Sequence, residues 1–239
     1  MSSFGVIGET LFAVIPGIPV TFKLTAISFV LGAILSVPLA LLRSSKNLLL
    51  SLPARLYITV FRGTPLLLQL FLIYYGLARF EFIRHSLLWV AFREPTFCAI
   101  LAFTLNMAAY ASETVRGGLN SVDPGQVEAG RAAGMSRPLL YRRIILPQAF
   151  RQALPAYGSE LIIMVKSTAL ASMVTVYEIT GVATRVRAES YRFVEVLLAA
   201  ALIYLAIAFL ISRAVARLEI WLNPQASRRT VRDKVPNTI

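Results

Sequence analysis

Two acidic residues stand inside apolar segments, where an ionised group costs on the order of 2.5–3.5 kcal/mol at the centre of a membrane helix. Glu113 lies three residues before Arg116, a spacing that pairs the two on one helix face. Glu160 has no basic residue one turn away on either side: Tyr157 is at i−3, Met164 at i+4, and Lys166 falls on another face. Such a carboxylate should face a polar interior, where it either meets a cationic group of a passing solute or hydrogen-bonds a neighbouring helix. Arg62-Gly63-Thr64-Pro65 is the other compact signal. Its Gly and Pro break the apolar run, and Thr64 can satisfy backbone groups freed there. Gln69 continues the polar stripe at Pro65+4, and Asn106 and Tyr110 form an i,i+4 pair further on. Polar side chains on facing helices suit a water-filled route, although helix–helix adhesion explains each one singly.

Other chemistries are excluded. No Gly-x-x-x-x-Gly-Lys-Ser/Thr phosphate loop occurs, so the chain does not bind ATP in that manner. Paired carboxylates and Ser/His/Asp constellations are absent, and an enzyme is not expected. Cys98 is the single cysteine, which rules out an internal disulfide or a cysteine metal site. The single histidine, His85, lies in a polar connection and reads as a surface residue. No cofactor or metal is expected. The net charge of +12 does not imply nucleic acid, because Lys and Arg sit in short blocks between apolar runs, without aromatic interleaving.

The elements that must carry these residues are membrane helices. The chain has 239 residues, 57% of them hydrophobic, with a mean hydropathy of +0.69. A span needs about 20 mostly apolar residues, and five spans are read at roughly 17–42, 56–79, 96–117, 149–170 and 194–217, in an all-α integral membrane fold of one domain (1–239). The connection 167–192 reads either as a short helix entering the membrane and lining a cavity or as an ordinary external loop. Residues 1–16 lack the basic n-region of a signal peptide, so they are expected to be retained. Of the 24 Lys and Arg, 16 fall in 43–62, 116–151 and the basic tail (about 218–239, with Arg213 and Arg217 just before it). Positive-inside bias therefore puts the C-terminus and the 118–148 loop in the cytoplasm and the N-terminus outside.

That loop, about 118–148, is polar, basic and locally ordered. Asp123 precedes Pro124, with Gln126 three residues after the Asp, a pattern that predicts an acidic N-cap, Pro at N1 and a return contact from Gln126. Gly134 suits a left-handed C-cap. Ser136 offers a second N-cap before Leu139, Leu140 and Ile144, and Pro147 is expected to interrupt the pattern. The first helix carries a small-residue surface of Ala129, Gly130, Ala132 and Ala133, suited to insertion into a partner's groove.

The pattern Glu-Ala-Ala, three residues, Gly, nine residues, Ile, one residue, Leu-Pro resembles the coupling loop of ABC-importer permease subunits. It is matched at Glu128, Ala129, Gly134, Ile144, Leu146 and Pro147, with Gly130 as the third small residue. The stretches 62–71, 105–134 and 153–176 extend the resemblance to polar amino-acid permeases, nearest the M-type branch of the histidine/lysine/arginine/ornithine and opine (octopine, nopaline) importers. Ser-Thr-Ala-Leu at 167–170 replaces the Asp-Thr-Ser-Leu of the wider family. The resemblance implies a type I ABC importer permease fold in the bacterial inner membrane. It implies a partner ATPase dimer that binds ATP and Mg and docks on the 128–147 element. It also implies a second permease, paralogous or identical, and a periplasmic amino-acid-binding protein. A secondary transporter would need paired inverted repeats, and none is seen; a membrane scaffold would not require the helix–turn–helix.

Overall fold

The computed structural model describes residues 3–222, which form helices joined by short turns and contain no strand. Residues 223–239, most of the expected basic tail, lie outside the described residues. Helix α1 (Ser3–Val14) passes through a 3-10 turn (Ile15–Gly17) into α2 (Ile18–Arg43). Then come α3 (Leu48–Gly63), α4 (Leu66–Phe71), the short α5 (Glu81–Arg84) and α6 (Trp89–Phe92), and the long α7 (Pro95–Asn120). Next are α8 (Pro124–Ala132), α9 (Arg137–Leu140), α10 (Leu146–Ser167), α11 (Ile179–Ser190) and α12 (Phe193–Leu222).

Among the described residues, Gly8–Arg43, Pro95–Asn120 and Phe193–Leu222 are each long and apolar enough to cross a membrane. Two bent pairs raise the number to five: Leu48–Gly63 with Leu66–Arg79, bent by 107°, and Arg137–Val174 with Ile179–Ser190, bent by 48°. The second span is thus not the single run 56–79; it starts eight residues earlier and turns sharply at 63–65. The first is not an isolated 17–42 helix either, because helix already precedes it from Ser3. Residues 167–192 form a 3-10 segment (Thr168–Val174), a left-handed residue at Thr175 and α11, whose Ile179, Gly181 and Ala183 are buried, rather than an open loop.

Packing inverts the pattern of a water-soluble core. The buried stripe of α2 is Thr21, Leu24, Thr25, Ser28, Gly32, Ser36 and Ala40, mostly small or hydroxylated and one helical turn apart. Large apolar residues of the same helix, Val30, Leu31, Ile34, Leu35 and Leu41, face outward. Small residues let backbones approach where lipid supplies no hydrophobic contrast. The partner is α7, itself lined by Ala99, Ala102, Ala108, Ala109 and Ala111 around the fully buried Phe103. Ser28 Oγ donates to the Ile100 carbonyl at 3.3 Å, fixing the pair in register.

Two apolar clusters result. The first joins α2, α4, α7 and α10 through Leu24, Leu70, Phe103, Met107 and Met164. The second joins α1, α10, α11 and α12 through Val14, Val165, Ile179, Val196, Ile203 and Ile207. α10 belongs to both, so it is the element through which the halves communicate.

Candidate functional site in the membrane and its cytoplasmic hairpin

The break at 63–65 follows from Pro65. A proline disfavours the α conformation of the residue before it, and Thr64 is extended, with φ −114° and ψ 146°. Val60 O still accepts from Thr64 N at 3.1 Å, but Phe61 O, opposite the proline, has no helical donor. Thr64, Gln69, Asn106 and Tyr110 all donate to carbonyls at this break. Thr64 Oγ1 donates to Val60 O at 2.8 Å, and Gln69 Nε2 to Phe61 O at 2.9 Å and to Thr64 O at 3.1 Å. Asn106 Nδ2 donates to Phe61 O at 3.2 Å and to Gln69 Oε1 at 3.0 Å, and Tyr110 OH to Arg62 O at 3.5 Å, the longest of the set. Thr64, Gln69, Asn106 and Tyr110 are brought together, and what joins them is the repair of a bent helix end. Arg62 lies with its guanidinium 5.2 Å from the centre of the Tyr110 ring.

One turn beyond Tyr110 on α7 is Thr114, whose hydroxyl donates to Glu160 Oε1 on α10 at 2.6 Å. Glu160 therefore makes an inter-helix hydrogen bond. Its Oε2 is buried and accepts no hydrogen bond from any described residue. Thr114 was not picked out from the sequence, although extending the Asn106–Tyr110 stripe by four residues reaches it.

Glu113 points the other way around α7. Its Oε2 accepts from Arg116 Nε at 3.0 Å and Nη2 at 2.7 Å, and its Oε1 lies 2.6 Å from Arg43 Nε at the end of α2. Arg43 reads from sequence only as an orienting charge; a contact between residues 70 apart leaves no local signal.

The 118–148 element is a hairpin continuous with α10. Asp123 Oδ1 accepts from Gly125 N at 2.8 Å, capping α8. At its other end Gly134 N donates to Arg131 O and Met135 N to Gly130 O, a Schellman pair, with Gly134 at φ +76°. Three expectations are corrected. Gln126 does not close a capping box; its Oε1 accepts from Gln148 Nε2 at 2.6 Å, strapping α8 to the start of α10. Pro147 does not interrupt the chain; a π-helical turn (Tyr141–Ile145) widens the ladder and lets the helix run through a proline near the start of α10. Gly130 is buried under Leu140 and Ile144, whose Cδ1 atoms lie 2.6 and 2.9 Å from where its Cβ would sit. It closes the hairpin from inside, with Ile144, while Glu128, Ala129, Ala132, Ala133, Leu146 and Pro147 are exposed.

Among the described residues, the most deeply buried carboxylate is one that no local sequence pattern marks. Glu178 has no exposed surface; its Oε1 accepts from Gly181 N at 2.8 Å, capping α11, and its Oε2 accepts from the Tyr204 hydroxyl of α12. No cluster of three or more His, Cys, Asp or Glu that could hold a metal occurs among the described residues.

Residues 28–223 match the family of binding-protein-dependent transport system inner membrane components. The chain is 51% identical over 225 residues to the octopine transport system permease protein OccM of Rhizobium meliloti, covering 93% of this chain and 92% of that protein. It is 50% identical over 222 residues to the nopaline transport system permease protein NocM of Agrobacterium fabrum, covering 92% of each. It is 39% identical over 214 residues to the histidine/lysine/arginine/ornithine transport system permease protein HisM of Salmonella typhimurium, covering 89% and 91%. A crystal structure of an amino acid ABC transporter with histidines superposes with a TM-score of 0.80 at 32% identity, covering 92% of this chain and 98% of that one. The MetNI methionine ABC transporter in an inward-facing conformation shares the fold, with a TM-score of 0.74 at 20% identity over 93% and 99% of the two chains.

Proposed function

We propose, from the premise that this chain belongs to the binding-protein-dependent transport system inner membrane component family and is a permease subunit of an ABC importer, that it carries polar, basic amino acids or opines inward by alternating access. A separate ATPase dimer binds ATP and Mg and hydrolyses the nucleotide, a soluble binding protein delivers the cargo, and a second permease, paralogous or identical, completes the pathway. The hairpin end of the molecule faces the cytoplasm. The relatives named for octopine, nopaline and basic amino acids support this cargo class.

The observation that carries the mechanism is the continuity of the docking hairpin with α10. A lever must be stiff at both ends. Here α8 is capped at each terminus, packed on α9 through Gly130 and strapped by Gln126–Gln148, while α9 runs without a loop through the π turn into the helix bearing Glu160. Closure of the ATPase dimer moves α8, and the displacement passes into α10 rather than being absorbed in slack chain. Glu128 and Ala129, exposed on α8, meet the ATPase groove.

In the complex reassembled with its ATPase and binding protein, Glu128→Lys should lower ATP-driven uptake about tenfold, or 1.4 kcal/mol, with membrane insertion unchanged. Gly134→Trp should do the same, because a left-handed backbone strains any residue bearing a Cβ. ATPase activity measured beside uptake shows whether the two have been uncoupled; wild-type uptake by both variants would overturn the docking assignment. Glu160→Gln should lower L-arginine uptake about tenfold and leave uptake of a neutral amino acid within about twofold. An unchanged L-arginine profile would remove Glu160 from the path.

A further inference from the structure

The connection between the second span and α7 turns its large apolar side chains away from the protein. Phe80, Phe82, Leu87, Leu88 and Val90 are each more than half exposed, and Leu87 is 92% exposed. This is not the product of slack chain. Ile83 is buried in the middle of the stretch, and Ser86 Oγ donates to Ile83 O at 2.8 Å, closing the turn between α5 and α6. Cys98 Sγ donates to Phe92 O at 3.2 Å, and the Phe92 ring meets the Phe97 ring edge-on at 5.7 Å, fastening the connection to the start of α7. A bound segment that holds five bulky apolar groups outward marks an interaction surface.

Its place in the fold names the occupant. α7 leads into the hairpin at its Asn120 end, so Pro95 and Arg79, which bracket the connection, lie at the opposite membrane boundary. The apolar surface continues without a break onto the spans on either side, through exposed Leu72 and Tyr75 before it and Phe97 after it. The polar groups suit the same boundary. Trp89 is half-buried on α6, and tryptophan favours the headgroup level. Arg79 and Arg84 are exposed and have no ion-pair partner among the described residues, whereas Arg93 Nε lies 3.9 Å from Glu94 Oε1. An arginine stem lies along acyl chains while its guanidinium reaches a phosphate.

We propose that residues 80–92 are an interfacial anchor seated in the outer leaflet of the membrane: the five apolar side chains enter the acyl-chain boundary, and Arg79 and Arg84 bind phospholipid phosphodiesters. Lipid fits this surface better than a soluble partner does. A binding protein must leave after each delivery, and its departure would return the whole apolar face to water. The anchor also has a mechanical role. The outer part of the second span, Leu66–Arg79, follows a 107° bend and has no continuous helix behind it. A fixed point at the membrane surface, directly after Arg79, stops that part from sliding in depth. The inference needs only the hairpin on the cytoplasmic side and does not depend on the cargo.

The test places the photo-reactive residue p-benzoylphenylalanine at Leu87, and separately at Val90, in the full complex within native membranes. After irradiation, mass spectrometry of the permease should show adducts carrying the mass of a phospholipid at both positions. Adducts to the binding protein or to any other polypeptide, or no adduct at all, would overturn the anchor. The headgroup contact has its own readout. The double variant Arg79→Gln, Arg84→Gln should lose phosphatidylglycerol that the wild-type complex retains through detergent purification, counted by native mass spectrometry. Equal retention by the two complexes would overturn the phosphodiester contact.

Discussion

Gly17→Ala should leave little folded protein, although it adds one methyl group. The added Cβ would lie 2.6 Å from both Cα and N of Ile179 and 2.7 Å from the carbonyl carbon of Glu178. These are backbone atoms at the start of a helix and cannot turn aside as a side-chain tip can. Thr21 holds the same joint: its Oγ1 donates to Gly17 O at 3.1 Å and accepts from Ile179 N at 3.3 Å. Separating the two segments breaks the Ile179–Thr21 bond and opens the second apolar cluster. The expected cost exceeds about 3 kcal/mol, a fall in Tm of about 6–12 °C by the scaling of similar-sized domains. Gly130→Ala is the control, since its Cβ meets the flexible side-chain ends of Leu140, Ile144 and Met135 rather than backbone. Thermal unfolding of the detergent-purified variants checks the contrast; equal melting of the two would show that the α1–α2 joint does not depend on this contact.

The second large effect concerns Glu178→Ala. The substitution removes the acceptor of the Gly181 N–H and of the Tyr204 hydroxyl, both inside the protein. An unsatisfied buried donor costs about 1–3 kcal/mol, and loss of a helix cap about 1 kcal/mol, so about 2–4 kcal/mol is expected in total. Glu178→Gln retains an acceptor for Gly181 and should lose less than half of that. Tyr204→Phe removes only one partner. Amide hydrogen exchange localises the damage: protection should fall across α11 and persist in α7. Wild-type exchange in α11 after Glu178→Ala would show that the cap is dispensable.

Much of this architecture was legible because membrane helices are written in composition and caps in local spacing. The apolar runs at 96–117 and 194–217 lie inside α7 and α12, and Asp123 and Gly134 cap where turn chemistry places them. What escaped was of two physical kinds. Some features depend on partners far along the chain: Arg43 on Glu113, Glu178 on Tyr204, Thr114 on Glu160. Others depend on how the ladder accommodates a proline. Pro65, preceded by an extended Thr64, bends the chain by 107°, whereas Pro147, preceded by a π turn, leaves the helix running. The two residues look alike in a sequence, and the difference lies in the neighbours available to take up the freed carbonyls. The polar stripe of Thr64, Gln69 and Asn106 was visible as a group, while its attachment to the α3 carbonyls was not.

The packing of α1 has a bearing on biosynthesis. Helix α1 finds its seat on α11 and α12, which are translated well after it, with Val14 sharing a cluster with Val196, Ile203 and Ile207. Until α12 has been made, α1 lacks that native seat and waits in the bilayer. Closure of α1 against α12 is then a late step of folding, and a product missing α12 leaves the inner face of α1 exposed.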